Sequence, residues 1–406
     1  MSNNGNKDVL IVYQAPWNWD FLWNRAQPLA MELAKRAAVI YLDSGLRGVP
    51  NQWAFLRHVP KAQRISRIFD LGISRQIAPN LYRYIQYSIE TDPWGMLFQD
   101  RSALGLRRLA QYIKKMAGPN RQIWLLNSRP FFSSLLDLVN WDKVIVDIED
   151  PWHELEYTPP DLEQKIRCLL ERADVIFSNG KKIARAFREF TDKPIESLPN
   201  GISESFVEQV NGDSLLCPQW MRSKSGKRKI VYTGHINNRM DFAMIKNLAK
   251  KFRSAEFIFV GLENPPESAK KEWEEFKSLE NAIFHREIEH DKIPGILSHA
   301  DILWMPHVYL GAPDMFPAKL FEYLAAGKWI LSSADFSEEI GTLPGILYCP
   351  DFDAYCEALE KLLSGPADLD PESKRIHRFT ALNNCWASRA EIFFQKVEKK
   401  EPVSAG

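Results

Sequence analysis

The sequence predicts an α/β protein of two domains, each built on a mostly parallel sheet. Its 406 residues, 45% hydrophobic and 26% charged, suffice for two separate cores. Short apolar runs alternate with segments of helical spacing from residue 8 to 198, and the alternation starts again at Lys229. Between the two series, residues 208–228 are polar, rich in Gly, Ser, Pro, Lys and Arg, and without periodicity, as an interdomain linker is. The expected division is a first domain at 1–207, the linker, a second domain at 229–383, and a terminal helix within 384–406.

In the first series, Asp8–Gln14 reads as a strand, Gln27–Arg36 as a helix and Ala38–Asp43 as the next strand. Further strands are expected at 123–127, 144–150, 174–179 and 195–198. Runs this apolar on both faces suit a parallel sheet covered by helices. No GxGxxG follows the first strand, which disfavours a dinucleotide oxidoreductase. The loop after that strand, residues 15–25, lies where open α/β sheets bind ligands, beyond a strand's carboxyl end. Trp17, Trp19, Trp23 and Arg25 are therefore candidates for ligand contact by stacking and anion pairing. The other reading has the tryptophans anchoring the loop on the domain.

Residues 51–120 carry eleven Lys and Arg against four Asp and Glu, interleaved with Phe55, Leu56, Ile65, Ile68 and Phe69. Such a region can lie on an anionic membrane, and it can equally be a set of solvated helix faces. Val144–Leu155 ends a buried strand in a cluster of carboxylates before a Pro-Trp turn, a costly place for charge without a purpose. Asp150 is the candidate general base there, His153 the alternative, and Asp147 the residue that orients the turn.

In the second series, strands are expected at 230–234, 256–261, 282–284 and 301–306, with helices at 242–252, 267–279 and 293–299. The turn Tyr232–Arg239 follows the first of these strands, and its small residues let amides near Gly234 approach a phosphate. His307 and Tyr309 follow a later strand and line either a pocket or the core. Residues 313–333 then read as a loop, a short helix and a buried strand. Pro317 fits the first helical position, Leu320, Phe321, Leu324 and Ala325 recur on one face, and Gly327 stops the helix. Asp314 sits just before the helix, and Lys319 and Glu322 share one turn of it. A helix N-terminus and an ammonium attract phosphate, while a carboxylate accepts two hydrogen bonds from a vicinal diol such as a ribose. Together they suit a nucleoside diphosphate.

Pro317, Lys319, Glu322, Tyr323, Ala325, Ala326 and Gly327 resemble the donor-site segment of GT-B glycosyltransferases. In the retaining family the segment carries a Glu, seven residues and a second Glu; Glu322 matches the second, and Asp314 stands at the first. Asp147, Asp150 and Trp152 resemble an Asp-x-x-Asp-x-Trp pattern of bacterial exopolysaccharide and teichuronic-acid-type members. The resemblance implies two Rossmann-like domains facing a central cleft. It also implies transfer of a hexosyl group from a UDP- or GDP-linked sugar to an acceptor hydroxyl.

On this resemblance Asp150, Asp314 and Arg239 are catalytic, with Arg239 against the leaving diphosphate. Gly234, Arg239, His307, Asp314, Lys319 and Glu322 hold the donor. Trp17, Trp19, Arg25, Asp147, Trp152 and His153 meet the acceptor, expected to be a lipid-linked or growing glycan. The resemblance further implies that the last helix crosses back onto the first domain. No metal and no cofactor are required, because Arg239, Lys319 and helix amides can neutralise the leaving diphosphate. A sugar-nucleotide epimerase and a noncatalytic relative that binds a sugar or a partner protein are the rival readings.

Asp351-Phe-Asp353 has the spelling of a metal-binding DxD but precedes an amphipathic helix, which makes capping the better account. The five cysteines are odd in number and show no CxxC, which argues against a disulfide framework or a zinc site. Zero net charge argues against a protein wrapped in nucleic acid. A polar N-terminus leads straight into the first strand, and no apolar run approaches the roughly 20 residues of a membrane span. A cytoplasmic protein, peripheral on the inner face of the plasma membrane if the basic region docks there, is expected.

Overall fold

The computed structural model describes residues 8–16, 18–20, 23–43, 74–85, 99–130, 133–152, 161–212, 215–222, 226–286, 289–307 and 316–399. The chain divides into two compact units, the first comprising Met1–Pro199 with Ala387–Gly406 and the second Asn200–Trp386. The division thus falls at 199/200, ahead of the polar stretch 208–228, because the helix Glu204–Val210 joins the core of the second unit through Phe206, Val207 and Val210.

Among the described residues, unit 1 holds one eight-stranded sheet. Its strands are β1 (Val9–Gln14), β2 (Ala38–Asp43), β3 (Ser74–Ala78), β4 (Leu81–Ile85), β5 (Gln122–Asn127), β6 (Lys143–Ile148), β7 (Val175–Ser178) and β8 (Ile195–Ser197). The spatial order is β3-β4-β2-β1-β5-β6-β7-β8, parallel throughout except for β3. Every residue of β1 and β2 is buried, as a central parallel strand covered on both faces must be. The helix Trp386–Glu398 supplies part of that cover: Phe393 stacks on Phe177 at 5.6 Å, and the Arg36 guanidinium lies 4.2 Å above the Phe394 ring.

The hairpin β3–β4 is a departure from the expected amphipathic surface over 51–120. Asn80 at φ 58° closes its tight turn, and β4 pairs in parallel with β2. Arg83 consequently faces Asp43 and Asp20 in ion pairs and is not offered to a membrane. Residues 51–73, including Phe55, Leu56, Ile65, Ile68 and Phe69, lie outside the described residues.

Among the described residues, unit 2 holds a six-stranded parallel sheet of order β11-β10-β9-β12-β13-β14. These strands are β9 (Arg228–Thr233), β10 (Ala255–Val260), β11 (Ala282–His285), β12 (Ile302–Met305), β13 (Trp329–Ser332) and β14 (Ile346–Tyr348). Alternate residues serve opposite faces. Val231, Ile258, Leu303 and Ile330 pack with the helices Glu204–Val210, Ile293–Ser298 and Lys319–Ala326, while Ile230, Phe257, Phe259 and Trp304 pack with Phe242–Lys251, Lys270–Lys277 and Phe352–Ser364. Asp351 caps the last of these by accepting from the Ala354 amide at 2.9 Å, which accounts for the DxD spelling.

The helix Lys319–Ala326 begins two residues later than expected. Its N-cap is Ala318, and Pro317 lies outside it with its carbonyl accepting from the Leu320 amide at 3.2 Å. Gly327 ends it in the left-handed conformation, φ 61° and ψ 39°. Tyr323 fixes its position: the buried hydroxyl accepts from the Thr233 amide at 3.0 Å, at the carboxyl end of β9. Tyr323→Phe leaves that amide without its partner and is expected to cost about 1–3 kcal/mol, measured by urea unfolding.

Candidate active site

In unit 2 the turn after β9 comes close to the turn after β10. The Gly234 amide donates to Val260 at 2.8 Å, the Ile236 amide donates to Leu262 at 2.9 Å, and Ile236 bridges Glu263. Gly234 has φ 139° and Gly261 φ 152°, both open to glycine. A Cβ on Gly261 would overlap the Gly234 carbonyl, and one on Gly234 would run into the Lys319 ammonium. Gly261 was not anticipated as a site residue; a Gly directly after a strand, facing another such Gly, was the available signal.

Lys319 reaches back from the first turn of its helix to this bare backbone. Its ammonium donates to the Tyr232 hydroxyl at 2.8 Å and sits 4.1 Å from the centre of the Tyr232 ring. Burial of the ammonium, aided by the positive charge of Arg239 and opposed by Glu322, lowers its pKa to about 7. Arg239 is itself exposed, and its backbone amide is held by the Asn237 side chain at 3.1 Å. His307 packs edge-on to Tyr232 at 5.8 Å; burial first, then Lys319 and Arg239, push its pKa well below the usual histidine value, so it lines the site as a neutral ring. His235 is shifted in the same direction for the same three reasons. One turn along from Lys319, the Glu322 carboxylate meets His290 at 3.0 Å. Neither histidine, 235 nor 290, was singled out in the sequence. The structure therefore brings together Gly234, Arg239, His307, Lys319 and Glu322, while Asp314 lies outside the described residues.

In unit 1 the expected contacts divide differently. Arg25 is 3% exposed and binds both oxygens of the fully buried Asp147, at 2.9 and 2.8 Å. This fork ties the end of the first loop to β6, so Arg25 and Asp147 act as structural partners and not as acceptor contacts. Trp152 is likewise buried, edge-on to Phe187 at 5.4 Å, and offers no stacking surface. Trp19 lies edge-on to Tyr41 at 5.1 Å with its amide on Asp43 at 2.8 Å, the anchoring arrangement. Trp17 and His153 lie outside the described residues. Asp150 is partly exposed at the end of β6.

Glu149, beside Asp150, was missed as an individual residue. It is buried at the strand ends, accepts from the Tyr13 hydroxyl at 3.3 Å, and has its pKa raised well above the usual carboxylate range by burial and by Asp147, against the pull of Arg25.

Residues 227–365 match the family model described as glycosyl transferases group 1. The chain is also 26% identical over 227 residues, half of its length, to a Bacillus subtilis (strain 168) protein named as a teichuronic acid biosynthesis glycosyltransferase, TuaH. That alignment takes in 53% of TuaH, so the chain spans about half the length of the curated relative it matches.

Two solved structures share the fold over nearly the whole chain. Sucrose-phosphate synthase from Thermosynechococcus elongatus matches with a TM-score of 0.68 at 13% identity, covering 97% of this chain and 98% of its own. A trehalose-6-phosphate structure from E. coli bound with UDP-2-fluoro glucose matches at 0.67 and 12%, covering 97% and 99%. The chain has the GT-B fold of these structures.

Removing Arg25 alone strands Asp147 in the core. Arg25→Ala is expected to cost about 3–5 kcal/mol in thermal or urea unfolding, and Arg25→Met combined with Asp147→Leu to recover most of it.

Proposed function

We propose that the protein is a glycosyltransferase that moves a sugar from a nucleoside diphosphate sugar to an acceptor hydroxyl in bacterial surface polysaccharide assembly. The observation that carries this reading is the Lys319 ammonium held on Tyr232 against the bare backbone of Gly234, at the start of a helix within the segment that matches the group 1 model. Only an anion that brings several acceptor oxygens restores what that ammonium has lost in water. The UDP-sugar bound in the matched E. coli structure and the name of TuaH support the same reading.

In the proposed reaction Lys319, Arg239 and the amides near Gly234 take up negative charge as the diphosphate leaves. Glu322 accepts from the ribose diol, and Asp314 is the proposed contact for the sugar. Unit 1 is proposed to receive the acceptor, with Asp150 taking the hydroxyl proton or positioning the hydroxyl. No metal is needed in this scheme.

Among the described residues no helix is long and apolar enough to cross a membrane. A lipid-linked acceptor is proposed to be met at a membrane surface, and the helix Gln99–Ala117 supports that: Arg107, Arg108, Lys114 and Lys115 are exposed on one side of it, with Leu109 and Ile113 buried on the other. Each cation near an anionic surface contributes about 1 kcal/mol.

Calorimetric titration with UDP and GDP tests the donor site. One of the two is expected to bind with or without magnesium, and Glu322→Ala to weaken it about tenfold or more. Failure of both to bind sinks the reading. Because Lys319 titrates near 7 in the free protein, its charge is complete below that pH and lost above it. Nucleotide affinity is therefore expected to fall between pH 7 and 9, with proton uptake on binding, and a Lys319→Met variant to bind weakly without that pH dependence. Reversal of Arg107, Arg108, Lys114 and Lys115 to glutamate is expected to abolish co-sedimentation with phosphatidylglycerol vesicles while leaving UDP titration unchanged.

A further inference from the structure

We propose that His290 is a positioning residue for ribose recognition: it holds one oxygen of Glu322 so that the other is presented to a single hydroxyl of the nucleotide's diol. This rests on the donor reading above and adds to it a residue from another element. His290 opens the turn His290–Lys292, just before the helix Ile293–Ser298, whereas Glu322 belongs to Lys319–Ala326.

The two side chains meet through His290 Nε2 and Glu322 Oε1 at 3.0 Å. The His290 ring is placed in turn by the buried Phe206, centroid to centroid 5.5 Å at 42°. A glutamate on the outer face of a helix ordinarily samples several rotamers, and fixing one on ligand binding costs affinity. Here the rotamer is already chosen, and the Glu322 side chain remains 20% exposed. Phe206, His290 and Glu322 thus form a chain that ends on the carboxylate.

The bond survives a change of protonation. Glu322 raises the pKa of His290, chiefly through this hydrogen bond and with help from Asp291, but a neutral ring with its proton on Nε2 donates to Oε1 as well as the cation does. The role of His290 is geometric. Oε1 already spends one lone pair on His290, which leaves the other oxygen of Glu322 as the stronger acceptor for a diol. One ribose hydroxyl therefore carries the recognition, and its loss is felt more than the loss of its neighbour.

The test is calorimetric titration of the full chain with the nucleoside diphosphate it binds, the 2′-deoxy and 3′-deoxy forms of that nucleotide, and inorganic pyrophosphate. Wild type is expected to penalise one deoxy form about tenfold and the other little. His290→Ala is expected to lose about tenfold in affinity for the ribonucleotide and most of the preference over the penalised form. His290→Gln, whose amide can donate to Oε1, is expected to keep both, and pyrophosphate affinity to be equal in all three proteins. A His290→Ala variant that keeps the wild-type preference, or one whose affinity for pyrophosphate falls by the same factor, overturns the inference while the donor site stands. A wild-type protein that binds neither nucleotide nor pyrophosphate overturns the donor reading itself.

Discussion

Two turns of backbone can approach each other in unit 2 because Gly261 carries no side chain at the point of contact. Gly234 and Gly261 follow adjacent parallel strands, and the amide of the first reaches the carbonyl of Val260 at 2.8 Å. A methyl group on Gly261 would occupy the space of the Gly234 carbonyl, which fixes the residue type there, while one on Gly234 would run into the Lys319 side chain. The strip of unscreened backbone so formed is the floor on which Lys319 is set. Its helix is registered from below, where Tyr323 takes the Thr233 amide, and from the side chain itself, which ends on Tyr232. Strand, turn and helix therefore meet at one ammonium, and the depressed pKa of that ammonium follows from the meeting.

Unit 1 uses buried charge in a different way. Arg25 and Asp147 satisfy each other bidentately and link the loop after β1 to β6. Next to this pair, the buried Glu149 accepts from the Tyr13 hydroxyl, and burial together with Asp147 pushes it toward the protonated form. Asp150, at the same strand end, keeps partial exposure. The two adjacent carboxyl groups thus have different surroundings, one buried and one partly open.

Most strands were legible in the sequence because both faces of a parallel sheet must be apolar, so runs such as Leu10–Tyr13 and Phe257–Val260 stand out. The hairpin β3–β4 was not, since an edge hairpin alternates with exposed polar residues, and Arg75 and Arg83 read as surface charge. The residues around Lys319 were legible where they share a local pattern: Lys319 and Glu322 lie one turn apart, and Gly234 follows a strand. His290 and Gly261 were hidden because their meaning lies in a partner far along the chain, 32 residues away for the histidine. Arg25 and Trp152 misled for the opposite reason. Residue types that favour ligand binding also favour the core, and only burial tells them apart.

The account depends on Lys319 being a desolvated ammonium that waits for an anion. NMR titration of the lysine side-chain resonances, with Lys319 assigned by comparison with Lys319→Arg, measures that state directly. A titration near pH 7 in the free protein that moves up on addition of UDP or GDP is the predicted result. A Lys319 that titrates at the ordinary lysine value of about 10.4 and is unmoved by either nucleotide would contradict it.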